Sequence, residues 1–300
     1  MSSIISYPDR GHWGKSSYRG NCSGHVYKDL YQATRPNFVV DPCVGGGTSV
    51  EVAHDMGIEA IGLDLHSGFN LLSDSILSAA GKPSDLCVSH FPYHDMIVYG
   101  GNVHQVIHPD DLSRCESVDD FIEKCHLALL NQREAVRPGG YYATLIGDLR
   151  RQGKYYSFQS DFIARMPADE LRSVIIKAQH NCWSDGQNYQ GRFNKGLPRI
   201  MHEYLIVWQR PEGGVSLLVT LGKMARKAHD QLWSTWKTVV RHAMIQLGGQ
   251  ADLKTLYEAI EGFADSRIAG NQNWQAKVRQ TLQRAGCFQP VERGIWKLAS

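Results

Sequence analysis

The segment VVDPCVGGGTSVEVAHDMGIEAIGLDL, Val39 to Leu65, constrains the fold more than any other stretch of the chain. Asn37 to Asp41 is a short β-rich run set off by the Arg35-Pro36 stop. Gly45-Gly46-Gly47 follows, and Thr48 to Met56 reads as a helix that closes on Gly57. Ile58 to Asp64 is then a second strand, ending in an acid. Strand, glycine turn, helix and strand form the repeating unit of open α/β sheets, whose ligands bind beyond the carboxyl ends of the strands.

The same alternation continues for two thirds of the chain. Leu86-Cys87-Val88 ends a third strand-like run, and apolar residues from Phe121 to Leu130 mark a helix running to Val136. Arg137-Pro138-Gly139-Gly140 stops it, Tyr141 to Gly147 is the next strand, and His202 to Arg210 closes the set. The expected class is α/β, a parallel-rich Rossmann-like sheet with crossover helices. One strand is missing from the pattern, since only twenty residues separate Asp64 from Asp85.

The glycine loop narrows the ligand. Gly45-x-Gly47 lacks the third glycine of the dinucleotide fingerprint, and no Gly-Lys-Ser/Thr follows for a triphosphate. Asp41 at a strand end would repel a phosphate but could hold an ammonium group. Asp64, 23 residues after Asp41, is placed to accept hydrogen bonds from ribose hydroxyls.

Asp41-Pro-Cys-Val-Gly-Gly-Gly-Thr-Ser49 resembles the Asp-Pro-Phe-x-Gly-Ser-Gly-Thr cofactor loop of amino-group DNA methyltransferases, and Ile61-Gly-Leu-Asp64 resembles their second-strand motif. The resemblance implies a methyltransferase sheet that binds S-adenosyl-L-methionine through Asp41, Cys43, Gly45, Gly47, Thr48 and Asp64. Tyr18-Arg-Gly-Asn-Cys-Ser-Gly24 is similar to the segment that closes over the methionine end of the cofactor, which adds Asn21 and Ser23. The specific motifs occupy about forty positions within residues 7 to 210. Asn70 and Asp74 are weaker candidates for adenine recognition, and Asp148 for the pocket wall.

The family's catalytic motif, Asp/Asn/Ser-Pro-Pro-aromatic, stands at the end of the fourth strand, where this chain has His90-Phe91-Pro92-Tyr93. The amine of adenine or cytosine is a poor nucleophile because its lone pair is delocalised into the ring. Fixed acceptors for its two protons localise that pair toward the methyl donor, so orientation matters more than basicity. The resemblance gives these tasks to His90, if neutral, and to the Phe91 carbonyl, with Tyr93 stacking on the flipped base. The chain departs from the pattern twice, with His for the polar residue and Phe for the first proline. His94 and Asp95 follow directly and could line the pocket.

Beyond Pro211 the balance of charge changes. Residues 211–300 carry 12 Lys/Arg against 7 Asp/Glu, whereas the first 210 carry 20 against 23. Helical spacing returns from Trp233, first through Trp236, Val239, Val240, Ala243, Met244 and Leu247. It resumes through Leu253, Leu256, Tyr257 and Ile260, then Trp274, Val278 and Leu282. Phe288 to Leu298 reads as a hairpin turning at Arg293-Gly294. Three helices and a ribbon look like a winged helix, and Gln275, Lys277, Arg279, Gln280 and Gln283 lie off the third helix's apolar stripe. With Arg293 on the wing, these are the candidate contacts to double-stranded DNA.

The expected division is therefore a methyltransferase domain over 1–212, a linker or connecting helix over 213–231, and a winged-helix domain over 232–300. Gly186 to Pro198 is a polar loop that could touch DNA. The seven cysteines never form Cys-x-x-Cys and the thirteen histidines never form His-Glu-x-x-His, so no disulfide framework and no metal site are expected. No apolar run spans a bilayer and the start lacks a signal-peptide pattern, which points to the cytoplasm. The expected function is methylation of adenine N6, with cytosine N4 second, such as protects DNA from restriction. The alternatives are an RNA methyltransferase and an inactive, DNA-binding regulator.

Overall fold

Four consecutive buried residues, Phe38–Asp41 (β2), form an inner strand of the sheet, as expected of a strand covered on both faces. The computed structural model describes residues 1–180, 197–213, 236–262, 268 and 271–299. Before β2 stand Ile4–Ser6 (β1) and Gly24–Thr34 (α1). After it come Thr48–Asp55 (α2), Glu59–Gly62 (β3), Ile76–Ala80 (α3) and Ser84–His90 (β4). Val118–Ala135 (α4) and Val136–Ile146 (β5) follow, then the short strands Leu149–Arg151 (β6) and Lys154–Tyr156 (β7). Phe158–Arg165 (α5), Leu171–Ala178 (β8) and His202–Gln209 (β9) complete this part.

The strand order is β1-β8-β9-β5-β4-β2-β3. β9 is antiparallel to both its neighbours, while every other pairing in this sheet is parallel. The chain steps from β2 outward to β3, then returns across β2 to β4 and proceeds to β5. The direction of winding therefore reverses between β2 and β4, and the crevice at their carboxyl ends is where such sheets bind ligands. This is the parallel-rich, Rossmann-like α/β sheet expected from the sequence. The missing strand is absent among the described residues, because 65–83 form turns, a 3-10 turn and α3.

Helices cover both faces. α1 and α2 enclose one core around Val26, Leu30, Val39, Val52 and Leu205. α3, α4 and α5 enclose the other, around Ile76, Phe91, Phe121, Phe158 and Trp208. α4 begins where the Ser117 side chain accepts a hydrogen bond from the Asp120 N–H, with Asp119 and Asp120 in its first turn; both features favour a helix start. The stop at Arg137-Pro138-Gly139-Gly140 proves to be part of β5. Pairing with β4 skips from Val136 to Tyr141, so the residues around Pro138 bulge out where no ladder donor exists.

The C-terminal part contains Trp236–Gln246 (α6), Gln250–Asp252 (β10), Leu253–Glu261 (α7) and Trp274–Arg284 (α8). Phe288–Glu292 (β11) and Ile295–Leu298 (β12) form an antiparallel ribbon, and β10 pairs with the far side of β12. Val239, Val240, Met244, Leu256, Ile260, Val278 and Leu282 give this part a core of its own. The expected connecting helix, Trp233 and most of the 186–198 loop lie outside the described residues. Among the described residues no helix is long and apolar enough to cross a membrane.

Candidate active site

The glycine loop turns over the end of β2 in a shape that a side chain would block. Gly45 and Gly47 have φ of 46° and 88°, the left-handed region that favours glycine. Val44 N–H donates to the Leu63 carbonyl at 3.0 Å and Leu63 N–H to the Asp41 carbonyl at 2.8 Å. These bonds lock the loop against the strand that carries Asp64. The Asp64 carboxylate accepts from Gly45 N–H at 3.1 Å and His66 N–H at 3.0 Å.

The Asp41 side chain behaves differently from its expected role. It is 2% exposed and is not part of the cleft wall. Its oxygens accept from the Cys43 N–H at 2.9 Å and from the Ser49 hydroxyl. Burial is the main influence on this carboxyl and raises it from 3.8 to about 7; the two hydrogen bonds oppose burial, and the charge of Asp64 assists it. Asp41 therefore braces the loop from beneath rather than presenting a carboxylate to an ammonium group.

The segment ahead of α1 is strapped over the loop. Lys15 N–H donates to the Gly46 carbonyl at 3.0 Å and Gly14 N–H to Glu51 at 2.7 Å. Trp13 Nε1 donates to Asp55 at 2.7 Å, and the Thr48 hydroxyl donates to the Asn21 carbonyl oxygen. The Tyr18 ring lies over the glycines, so a methyl group at Gly45 would meet it at 2.9 Å. Sequence reasoning found Asn21 here but missed Tyr18, which no local signal distinguishes from other loop tyrosines. Ser23 is buried beneath the segment, donating to the Asp9 carbonyl at 3.1 Å.

Between the loop and β4 lies an open cleft. Of the expected cofactor residues, Asn21, Cys43, Gly45, Thr48 and Asp64 line it, whereas Asp41, Gly47 and Ser23 do not. Of the catalytic turn, His90 and Pro92 line it. Asn70 also lines it, donating to Asp110 at 2.7 Å, while Asp74 closes a turn through the Asn70 N–H. His94, Asp95 and Asp148 are not in the wall. Asp95 is paired with Arg151 at 2.5 Å, and Asp148 accepts from the Tyr155 hydroxyl at 2.7 Å.

The turn after β4 is built on two anchors. Phe91 is 1% exposed and sets its ring edge-on to Phe162, with centroids 6.1 Å apart. A core aromatic thus fixes the turn where the family pattern has a proline. Among the described residues no hydrogen bond is made to the Phe91 carbonyl. Tyr93 does not line the cleft as a stacking platform would. Its ring lies on Gly147, its oxygen is 3.0 Å from His90 Nε2, and its hydroxyl donates to Glu203.

Glu203 and Lys177, which the sequence did not single out, pair across the β8–β9 ladder behind the turn. Both are buried, at 4% and 8% exposure. Gln179 Nε2 also donates to Glu203 at 3.3 Å. Burial alone would raise the Glu203 carboxyl, but the Lys177 charge and its neighbours outweigh it and hold the group below its ordinary value. Burial pushes His90 below the usual 6.5, with Lys177 reinforcing the shift and Glu203 opposing it. His90 is thus neutral at physiological pH.

Among the described residues, the donor atoms of Asp64, His66 and His104 lie within 4.8 Å of one another. The two imidazoles, however, stack face to face with centroids 3.6 Å apart and planes at 16°. Their in-plane lone pairs run side by side instead of converging on one point, and both Asp64 oxygens already accept backbone N–H groups.

On the C-terminal part, Gln275, Lys277, Arg279, Gln283 and Arg293 are exposed and Gln280 is partly so. Arg279 donates to the Tyr257 hydroxyl at 3.0 Å and Lys277 to Gln280 at 3.2 Å. Trp274 is core, stacked on Trp236.

No protein-family model matches the sequence, and no curated protein does. Among solved structures the chain is similar to TrmN from Thermus thermophilus, at 13% identity over 64% of this chain and 50% of that one, with a TM-score of 0.35. It is similar to human N-acetylserotonin methyltransferase in complex with SAM, at 11% identity over 63% and 51%, TM-score 0.33. An O-methyltransferase family protein from Burkholderia thailandensis gives 16% over 64% and 56%, TM-score 0.32. The chain spans about half the length of these structures. Likenesses this distant carry no weight for substrate or mechanism.

Proposed function

We propose that the protein transfers a methyl group from S-adenosyl-L-methionine to the exocyclic amine of a nucleobase in DNA, adenine N6 before cytosine N4. One observation carries this reading: the glycine loop with Asp64 and the turn with His90 and Pro92 line one cleft. Asp64, in the cleft wall, is placed to accept from a ribose hydroxyl. Bound there, the cofactor would supply an electrophilic methyl group on a sulfonium.

The chain's own residues orient and accept. Neutral His90 accepts a hydrogen bond from one amine N–H through a ring nitrogen and takes the single proton released. The Phe91 carbonyl, unpaired among the described residues, accepts a hydrogen bond from the N–H that the product keeps. Both lower the cost of localising the nitrogen lone pair. Tyr93 is not the stacking surface on this reading. Its hydroxyl is committed and its ring lies on Gly147.

On this reading the C-terminal helix, strand, two helices and ribbon make a winged helix, and a hydrophobic core of its own supports treating it as a unit. On this reading Lys277, Arg279 and Arg293 hold phosphates, with Gln275 and Gln280 near base edges. The exposed basic face of α8 supports a polyanionic partner.

The test is incubation of the full chain with labelled cofactor and duplex DNA or RNA, followed by digestion to nucleosides. Label on the deoxyadenosine amine is expected. Label only from RNA would replace the polymer, and no label from either would leave the regulatory alternative.

A further inference from the structure

We propose that Glu203 is a positioning residue that fixes the tautomer of His90 through the Tyr93 hydroxyl, leaving His90 Nδ1 as the proton acceptor. The inference rests on the methyl-transfer reading for its consequence, though not for its geometry. An ionised carboxylate only accepts hydrogen bonds. Glu203, held ionised by Lys177, therefore orients the Tyr93 O–H toward itself. The Tyr93 oxygen is then left with lone pairs facing His90 Nε2 at 3.0 Å. Only a protonated Nε2 can complete that contact. In a neutral imidazole the other nitrogen must then be bare, because the ring carries one proton.

Nδ1 has no partner among the described residues, and His90 stands in the cleft wall. The series Lys177, Glu203, Tyr93, His90 thus runs from the outer strands to the cleft, with each donor set by the acceptor behind it. It explains how a histidine can serve where the family pattern has Asp, Asn or Ser. A free imidazole offers its acceptor on either nitrogen, whereas this one offers it on one side only.

The substitution Glu203→Gln tests the chain of donors. A glutamine can donate to the Tyr93 oxygen as well as accept from it, so the hydroxyl is free to turn toward His90. Tyr93→Phe tests the same link while keeping the Lys177–Glu203 pair, and it decides the matter if the glutamine variant fails to fold. The readout is the His90 tautomer in the full chain at neutral pH, by NMR of isotope-labelled histidine, which needs neither cofactor nor activity. The proposal expects an Nε2-protonated ring in the parent chain and a mixed or reversed tautomer in both variants.

In the transfer assay kcat should fall at least about tenfold, with the cofactor KM unchanged. An Nδ1-protonated or cationic His90 in the parent chain overturns the proposal, as does a tautomer unmoved by either substitution. If neither variant folds, the parent spectrum alone decides. A correct tautomer shift without methyl transfer to any polymer would sink the proposed function and leave this geometry standing.

Discussion

The ring of Tyr93 lies across Gly147, so close that a methyl group there would sit 2.5 Å from its Cε2. Gly147 follows directly on β5 and Tyr93 follows the turn after β4, so two adjacent parallel strands deliver the contact. Gly147→Ala must displace the ring, and with it the hydroxyl between His90 and Glu203. Overpacking of this kind costs about 1–3 kcal/mol, and a displacement of about 1 Å at a reacting centre can cost 10²-fold in rate. The expected outcome is a modest fall in thermal midpoint with a much larger loss of kcat. Unchanged turnover would show that the Tyr93 position does not matter.

Asp41 gives a pH dependence of stability. Its carboxyl titrates at about 7 when folded against an ordinary 3.8, so the folded state binds the extra proton between those values. The resulting stabilisation is full below 3.8 and is lost as pH rises through about 7, an effect of roughly 4 kcal/mol. Asp41→Asn keeps an acceptor for the Cys43 N–H and a polar partner for Ser49 without an ionisable group. The variant should melt close to the parent near pH 4 and progressively above it as pH rises to 8.5. Parallel melting curves across that range would contradict a buried, titrating carboxyl.

His90 should set the acid limb of the rate profile. Only the neutral ring has a lone pair to offer, and burial depresses its pKa below 6.5, so the rate is flat near neutrality and falls below the ordinary histidine range. Stability follows the same sign, being complete above 6.5 and lost as pH falls through the folded value. His90→Ala should lower kcat by about 10²-fold or more. His90→Asn, which restores an acceptor of the family's kind, should recover part of that loss and abolish the limb. A limb that survives in the asparagine variant would assign it to another group.

Asp64 ties the glycine loop to the next strand through two backbone N–H groups, and in the proposed complex it also meets the ribose. Asp64→Ala should weaken cofactor binding at least about tenfold by calorimetry, the loss of one charge-assisted hydrogen bond being worth about 1.5–3 kcal/mol. Cofactor affinity equal to the parent's would remove Asp64 from the site.

The exposed face of α8 should act through phosphates. Lys277→Ala and Arg279→Ala are each expected to weaken duplex binding to a similar degree on unrelated sequences. Each should also reduce the slope of log affinity against log salt by about 1. Fluorescence anisotropy over a salt series measures both, and an unchanged slope would place the duplex elsewhere.

The order of elements from β2 to β5 was readable because each signal is local. Glycines mark the turn after Asp41, a 3.6-residue period marks α4, and apolar runs mark the strands. The turn after β4 was readable for the same reason. Its supports were not. Lys177 and Glu203 meet only because β8 and β9 pair antiparallel in one register, and a lysine near the end of LRSVIIKA reads as an ordinary solvated position. Tyr18 acquires its place only when a segment that precedes α1 folds back over Gly45. Asp41 was read as a ligand because its sequence neighbours are those of a cofactor loop. Its side chain nonetheless turned toward Ser49, in the first turn of α2, a choice made by packing and invisible in spacing.

The three residues of β1 do more than begin the chain. Ile4, Ile5 and Ser6 pair with Ile176, Lys177 and Ala178, occupying the hydrogen-bonding groups that β8 would otherwise offer to any passing strand. A chain trimmed past Tyr7 would bare that rim, inviting self-association, and would slacken the strand that carries Lys177. Loss of a solubility-protecting border and loss of the ion pair behind the turn would then arrive together, from a cut far from the cleft in sequence.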